Sequence, residues 1–327
     1  MTMKHFAGIA LIVFVALFVI FLFYLPIEVA GHRPGISPML VINAGFAAVT
    51  ASITLVTLLF ICIKGDFVRG QIATLARFRH LLFLMVKRDF VTRYRRSVLG
   101  VLWSLLNPIL TMLILTMVFS QIFRWEVPGL NFPVHVLSGQ LIFNFFSEST
   151  TSAMNSILGS AGIIKKVYVP KYIFPVSRVF SSVVNLGFSF VAFLLVFVLT
   201  GESFNWTFLL IPIPLLYVFV FALGVGMMLS AMAVFFRDIM HLYGVGLTLW
   251  MFLTPIVYPV EILPQRVYHL IHLNPIFHYV EYFRALAVRG TIPGLWSNMI
   301  CIGFALLALC LGLYAKISQQ DKYILYL

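Results

Sequence analysis

"VKRDFVTRYRRSVLGVLW", residues 86–103, decides how this chain is read. It gathers Lys87, Arg88, Arg93, Arg95 and Arg96 against one acid, Asp89, and runs directly into an apolar segment. Elsewhere charge is scarce. Of 327 residues, 62% are hydrophobic and 10% charged, with mean hydropathy +1.05. Soluble domains carry about 45–50% apolar and about 25% charged residues, so this is an integral membrane protein and the bilayer is its solvent. The formal charge of +12 raises nucleic acid as a partner. Lys and Arg enrichment in cytoplasmic loops accounts for it without one. Cys62, Cys301 and Cys310 lie in or beside apolar segments, without CxxC or Cys/His spacing. They read as small hydrophobes, not as a disulfide frame or metal site.

Outward from that stretch, apolar runs long enough to cross about 30 Å of hydrocarbon fall roughly at 6–25, 39–63, 101–123, 136–158, 179–200, 207–235, 242–260 and 295–315. The first is longer than the ~7–15-residue core of a signal peptide, and Pro26-Ile27-Glu28 offers no small-x-small cleavage site. It reads as a retained span. Eight helices place both termini on one side, and the basic residues say which. Seventeen Lys and Arg fall on one side, including Lys4, Lys64, the cluster at 87–96, Lys165, Lys166, Lys171, Arg237 and Lys322. Five fall on the other: Arg33, Arg124, Arg266, Arg284 and Arg289. The first side is cytoplasmic. Trp125, Trp206 and Trp296 then fall near outer ends, at headgroup level.

On a helix, Val86, Phe90, Tyr94 and Val98 repeat every four residues, while Arg88, Asp89, Thr92, Arg95 and Arg96 occupy the opposite arc. This predicts an amphipathic helix in the cytoplasmic interface, with Lys87 snorkelling from the apolar side. Its basic face suits anionic lipid and topogenesis, and equally an acidic groove on a partner protein. Charge alone does not separate the two. Two further segments are neither spans nor simple loops. Residues 159–178 on the cytoplasmic side mix lysines, two prolines and apolar residues. Residues 261–293 outside are semi-apolar and broken at Asn274-Pro275 into pieces too short to span, which predicts a re-entrant or interfacial hairpin.

The residues here carry a resemblance. "RDFVTRYRRSVLGVLWSLLNP", residues 88–108, resembles the opening signature of the permease subunits of ABC-2-type polysaccharide exporters. The matches are Arg88, Asp89, Arg93, Tyr94, Arg95, Ser97, Leu99, Gly100, Trp103 and Pro108. Residues 141–177 are similar to that family's second span and following loop, "FFRDI" at 235–239 to its fourth-span exit, and "LWMFLTPIVYPVEILP" with "LNPIFHYVEYFR" to its fifth span and external gate hairpin. The motifs lie in order over roughly 80–320.

The resemblance implies an all-α integral membrane protein: a six-span ABC-2 (type V exporter-like) core with a cytoplasmic interface helix and an external gate hairpin. The expected organisation is an additional two-helix hairpin at 1–65, a cytoplasmic loop and interface helix at 66–98, the six-span core at 99–320, and a tail at 321–327. Within the core, the coupling helix falls at about 160–172 and the gate hairpin at about 261–293. The two additional N-terminal spans depart from the family pattern. The resemblance also implies cargo: O-antigen, teichoic acid or capsular glycan carried on lipid. It implies a homodimer of permeases at the bacterial inner membrane, driven by two copies of a cytoplasmic ABC ATPase. No GxxxxGK[ST] loop occurs in this sequence, so ATP and Mg would be bound by that partner and this chain would hold no cofactor and no metal.

Two surfaces are expected to take the partner's push: Arg88, Asp89, Arg93, Tyr94, Arg95 and Arg96 on the interface helix, and Lys165, Lys166, Tyr168, Pro170 and Lys171 around the coupling helix. A sugar path favours aromatic faces, and Trp103, Phe143, Phe145, Phe146, Trp250, Phe252 and Tyr258 are its candidates. Glu148 joins them from its own chemistry: an acid inside a span, among Ser147, Ser149, Thr150, Thr151, Ser152 and Asn155, faces a bundle interior or wet cavity. Helix–helix hydrogen bonding is the alternative use of that polar face. His269, His272 and His278 with Glu281 straddle the Asn274-Pro275 break and read as interfacial polar residues, not as a zinc site.

Three other readings compete. One keeps the permease and changes the cargo to a drug or another lipid. An integral membrane glycosyl- or acyltransferase would need a carboxylate pair or catalytic His at the surface, and no DxD occurs. An ion-coupled transporter would need several ionisable residues within spans, where Glu148 is nearly alone.

Overall fold

Long apolar runs bounded by Gly, Pro and charge become helices because only internal hydrogen bonding satisfies backbone groups in lipid. The computed structural model describes residues 70, 73–95, 99–122, 131–166, 169–262 and 271–319. The expected N-terminal hairpin at 1–65, the tail at 321–327, Arg96, Tyr168 and residues 263–270 of the gate hairpin lie outside the described residues. Among the described residues the chain is all-helical: α1 (Arg79–Tyr94), α2 (Trp103–Thr116), α3 (Phe132–Gly159), α4 (Ala161–Ile164), α5 (Ile173–Leu199), α6 (Pro212–Phe235), α7 (Ile239–Leu253), α8 (Pro275–Ala287) and α9 (Leu295–Gln319).

Four stretches are long and apolar enough to cross a membrane: Gly100–Phe119, Ile173–Leu199, Trp206–Phe235 and Leu295–Lys316. At 28 residues α3 runs the same distance, with its polar residues gathered toward one end. It is the centre of the bundle: Val134, Val136, Ile142 and Phe146 are fully buried, packed with α5, α6 and α8. α6 and α9 cross closely because Gly224 has no side chain. A Cβ there would overlap the Ala308–Leu309 backbone of α9, the small-residue contact that lets membrane helices approach.

Two expectations are modified. α7 ends at Leu253, not near 260, because Pro255 disfavours helical geometry at the residue before it: Thr254 is extended. The span is thus only 15 residues, and the chain bends before the gate segment. The interface helix is also less simply divided than its four-residue repeat suggests. Phe83, Leu84 and Val91 are exposed while Asp89 turns inward, 12% exposed. Its burial follows from a partner that periodicity does not see. Between α1 and α2, Gly100 takes φ 49°, a left-handed turn that glycine adopts without a Cβ penalty. That turn redirects the chain from the interface helix into the first span.

Candidate functional site

A cleft of about 750 Å3 opens between α1, α2, α3 and α5. Its walls carry neutral hydrogen-bonding groups: Ser104, Asn107 and Thr111 from α2, Asn144 and Thr151 from α3, Ser189 from α5. Trp103, 48% exposed, adds an aromatic face at its rim. Pro108 also lines it. Lacking an N–H, Pro108 withdraws the helical donor from the Ser104 carbonyl, four residues earlier. One charged pair stands in this wall: Arg93 Nη1 lies 2.7 Å from Glu148 Oε1. Asn185 of α5 donates to the same carboxylate oxygen. The Tyr94 hydroxyl bonds the Ser104 hydroxyl and donates to Asn185 Oδ1 at 3.2 Å.

Four residues before Arg93, Asp89 is held by α5. Arg178 reaches its carboxylate at 2.8 Å and the Ser181 hydroxyl donates to it at 3.1 Å. Lys87, Arg88 and, just past the end of α1, Arg95 are exposed, and Arg88 also meets Asp89 Oδ1 at 3.4 Å. Beside them lies α4, a single turn that ends in the exposed Lys165 and Lys166; Pro170 and Lys171 are partly buried. Met85 of α1 and Ile164 of α4 pack into one apolar cluster with Tyr172, Phe174 and Met227. The two expected docking elements are therefore joined through shared side chains. Lys316 of α9 rests its ammonium 3.2 Å from the Tyr172 ring centre, at the exit of this segment.

The opposite end is organised by a buried cation. Arg284 of α8 is 2% exposed. It donates to the carbonyls of His135 (3.0 Å), Pro255 (3.0 Å) and Ile256 (3.2 Å), and to Ser138 Oγ (3.1 Å). Its carboxylate partner is Glu281, 3.2 Å away, which Arg289 also bonds at 2.6 Å. Burial opposes the Glu281 charge, but the two guanidiniums outweigh it and hold its carboxyl below the usual range. Asn274 caps α8 by accepting from the Ile276 N–H and the Trp250 indole, and donates to Thr254. α7, its bend and α8 are thus one hydrogen-bonded unit.

The ABC-2 type transporter pattern matches residues 80–288. The chain belongs to the ABC-2 type transporter family. Among its relatives is the O-antigen export system permease protein RfbA of Myxococcus xanthus, 31% identical over 221 residues, 67% of this chain and 84% of that one. A protein of the same name from Klebsiella pneumoniae is 28% identical, over 75% of this chain and 95% of its own. The polysialic acid transport protein KpsM of Escherichia coli is 25% identical, over 72% and 91%. These relatives are covered nearly end to end, while the family match begins one residue into α1.

On this ABC-2 frame the expected aromatics separate. Trp103 lines the cleft. Phe143, Phe145 and Phe146 do not: they are at most 4% exposed, and the Phe146 ring packs on Phe221 and Trp250. They sit in the packed core of this chain, because α3 is surrounded by helices on its apolar face. Trp250 is committed to Asn274, and Tyr258 donates to the Phe252 carbonyl. Phe252 itself is 67% exposed. His272 and His278 meet through a His278 Nε2–H bond to the His272 carbonyl, 2.6 Å. His269 lies outside the described residues. Among the described residues no three His, Cys, Asp or Glu converge as metal ligands.

Reading the sequence missed Arg178, Asn185 and Arg284. Asn185 carried the signal that singled out Glu148, a strongly polar side chain within an apolar run, while Arg178 stands at the edge of such a run and Arg284 in a semi-apolar segment.

Proposed function

We propose that this chain is the membrane-spanning permease subunit of an ATP-driven exporter that moves lipid-linked polysaccharide across the bacterial cytoplasmic membrane. The observation that carries the reading is the cleft. Hydroxyls and amides around one exposed indole suit a polyhydroxylated chain, because they exchange hydrogen bonds with many hydroxyls in turn and the ring stacks on sugar faces. Six spans form the core in this reading: α2, α3, α5, α6, α7 and α9, with α7 continuing into the gate segment. The lysine-rich end is cytoplasmic. Two copies form the pathway, and a separate ATPase subunit, holding ATP and Mg, seats on the outward face of α1 and on α4.

The test has two parts. The chain, purified from its own host, brings an ABC ATPase with it, and deleting its gene leaves a lipid-linked glycan accumulating inside the membrane. Accumulation of a drug or of an unglycosylated lipid in place of glycan would keep the permease and overturn the cargo. Transport that persists after ATP depletion would overturn the exporter.

A further inference from the structure

Arg93 stands on the interface helix, among residues expected to meet an ATPase, and Glu148 stands in the wall of the transport cleft. The structure brings the two together at 2.7 Å. Asn185 approaches the same carboxylate from α5. One turn earlier, Asp89 is clasped by Arg178 and Ser181. Next to Arg93, Tyr94 reaches Ser104 on α2. Three residues of α1, Asp89, Arg93 and Tyr94, are therefore fastened to three different core helices, while Arg88 reaches its neighbour Asp89 at 3.4 Å and Arg95 is exposed.

We propose that Arg93 is a positioning residue that fastens the interface helix to the cleft wall at Glu148, so that displacement of α1 by a partner moves the cleft directly. This rests on the exporter reading above. Its charge is already balanced by Glu148, which leaves the partner to be met by the exposed arginines. The pair is 48% and 32% exposed, in an open cleft where water screens it, so its net stabilisation is small. What it supplies is geometry: a charge-assisted bond, short and directional, across the joint between the driven helix and the path. Simple topogenic charge would have no need of an acid facing it from α3.

The test uses the full chain in membranes with its ATPase partner. In R93Q and in E148Q the ATPase still co-purifies, but glycan exported per ATP hydrolysed falls at least about fivefold, the lower end of ordinary coupling effects. R93K recovers most of the ratio, and the exchanged pair R93E/E148R exceeds either R93E or E148R alone. Loss of ATPase association in R93Q with E148Q unaffected would make Arg93 a docking residue and overturn the proposal, as would an unchanged export ratio. Independently of transport, the pair R93C/E148C crosslinks with a short bifunctional reagent in native membranes; absence of that crosslink also overturns it. Should the unmodified complex itself show no ATP-driven export, the exporter reading fails, while crosslinking still decides whether α1 is fastened to α3.

Discussion

Arg284 is a cation 2% exposed, in a helix whose neighbours are Tyr282, Phe283, Ala285 and Leu286. Its position is explained by what α7 lacks. Where that helix stops, at Thr254-Pro255-Ile256, carbonyls lose their helical donors, and unsatisfied buried carbonyls cost about 1–3 kcal/mol each. The guanidinium fork supplies donors to two of them and to His135 and Ser138 on α3. A lysine has three donors from a single point, not a planar five-donor fork. Arg284→Met is therefore expected to destabilise the protein by ~3–5 kcal/mol, as for the breaking of other buried ionic contacts, with Arg284→Lys only partly restoring it. Thermal unfolding in detergent measures both. A Met variant as stable as the parent would show that the bend needs no buried donor.

At the scale of elements, α8 makes the pH dependence of the gate end readable. The His278 imidazole is lowered from 6.5 to about 4, chiefly by burial. A base whose folded pKa is depressed stays neutral in the fold and takes a proton when unfolded. Its penalty thus grows as pH falls from about 6.5 toward about 4. Glu281 adds to this below the ordinary carboxylate range, where protonation removes the charge that Arg284 and Arg289 hold. One pKa unit is worth about 1.4 kcal/mol, so the His278 share is on the order of a few kcal/mol at most. The unfolding midpoint should fall across that window, and His278→Asn should flatten the fall. An unchanged pH profile in that variant would assign the loss elsewhere. The α6–α9 crossing offers a contrasting test without charge: Gly224→Leu forces the two backbones apart and is expected to cost more than ~1–3 kcal/mol, the usual cost of overpacking, read as loss of detergent-stable protein. These elements also show what sequence makes legible. Helix existence followed from apolar length, and α2, α3, α5, α6 and α9 each overlap their expected spans, with ends shifted by up to seven residues. The end of α7 falls short of its expected position, because hydropathy continues through Pro255 while backbone geometry stops there. The cleft's Glu148 was readable as an acid inside a span, and Trp103 as one of several aromatic candidates. The partners of Glu148 were not: Arg93 and Asn185 reach it only through the packing of α1 and α5 on α3.

Over the whole molecule, charge divides between pairs made within the chain and an exposed remainder. On α1, Asp89 is held by Arg178 and Arg93 by Glu148. Arg88, which also meets Asp89 at 3.4 Å, and Arg95 and Lys166 are exposed on adjoining elements that share one apolar cluster. A pad with a basic surface results, with Met85 and Ile164 packed into the same apolar cluster. Lipid anchorage and a protein partner make different demands on this pad. Attraction to an anionic surface sums over charges at about 1 kcal/mol per basic residue, so any three lysines or arginines would serve, wherever they stood. A partner groove requires these three in this arrangement. Replacing Arg88, Arg95 and Lys166 by Gln, with three lysines introduced on α1 at Phe83, Leu84 and Val91 to keep the net interfacial charge, is therefore expected to preserve insertion and abolish ATPase association. Membrane fractionation reads the first and co-purification the second. Retained association in the substituted protein would return these three residues to lipid binding and topogenesis.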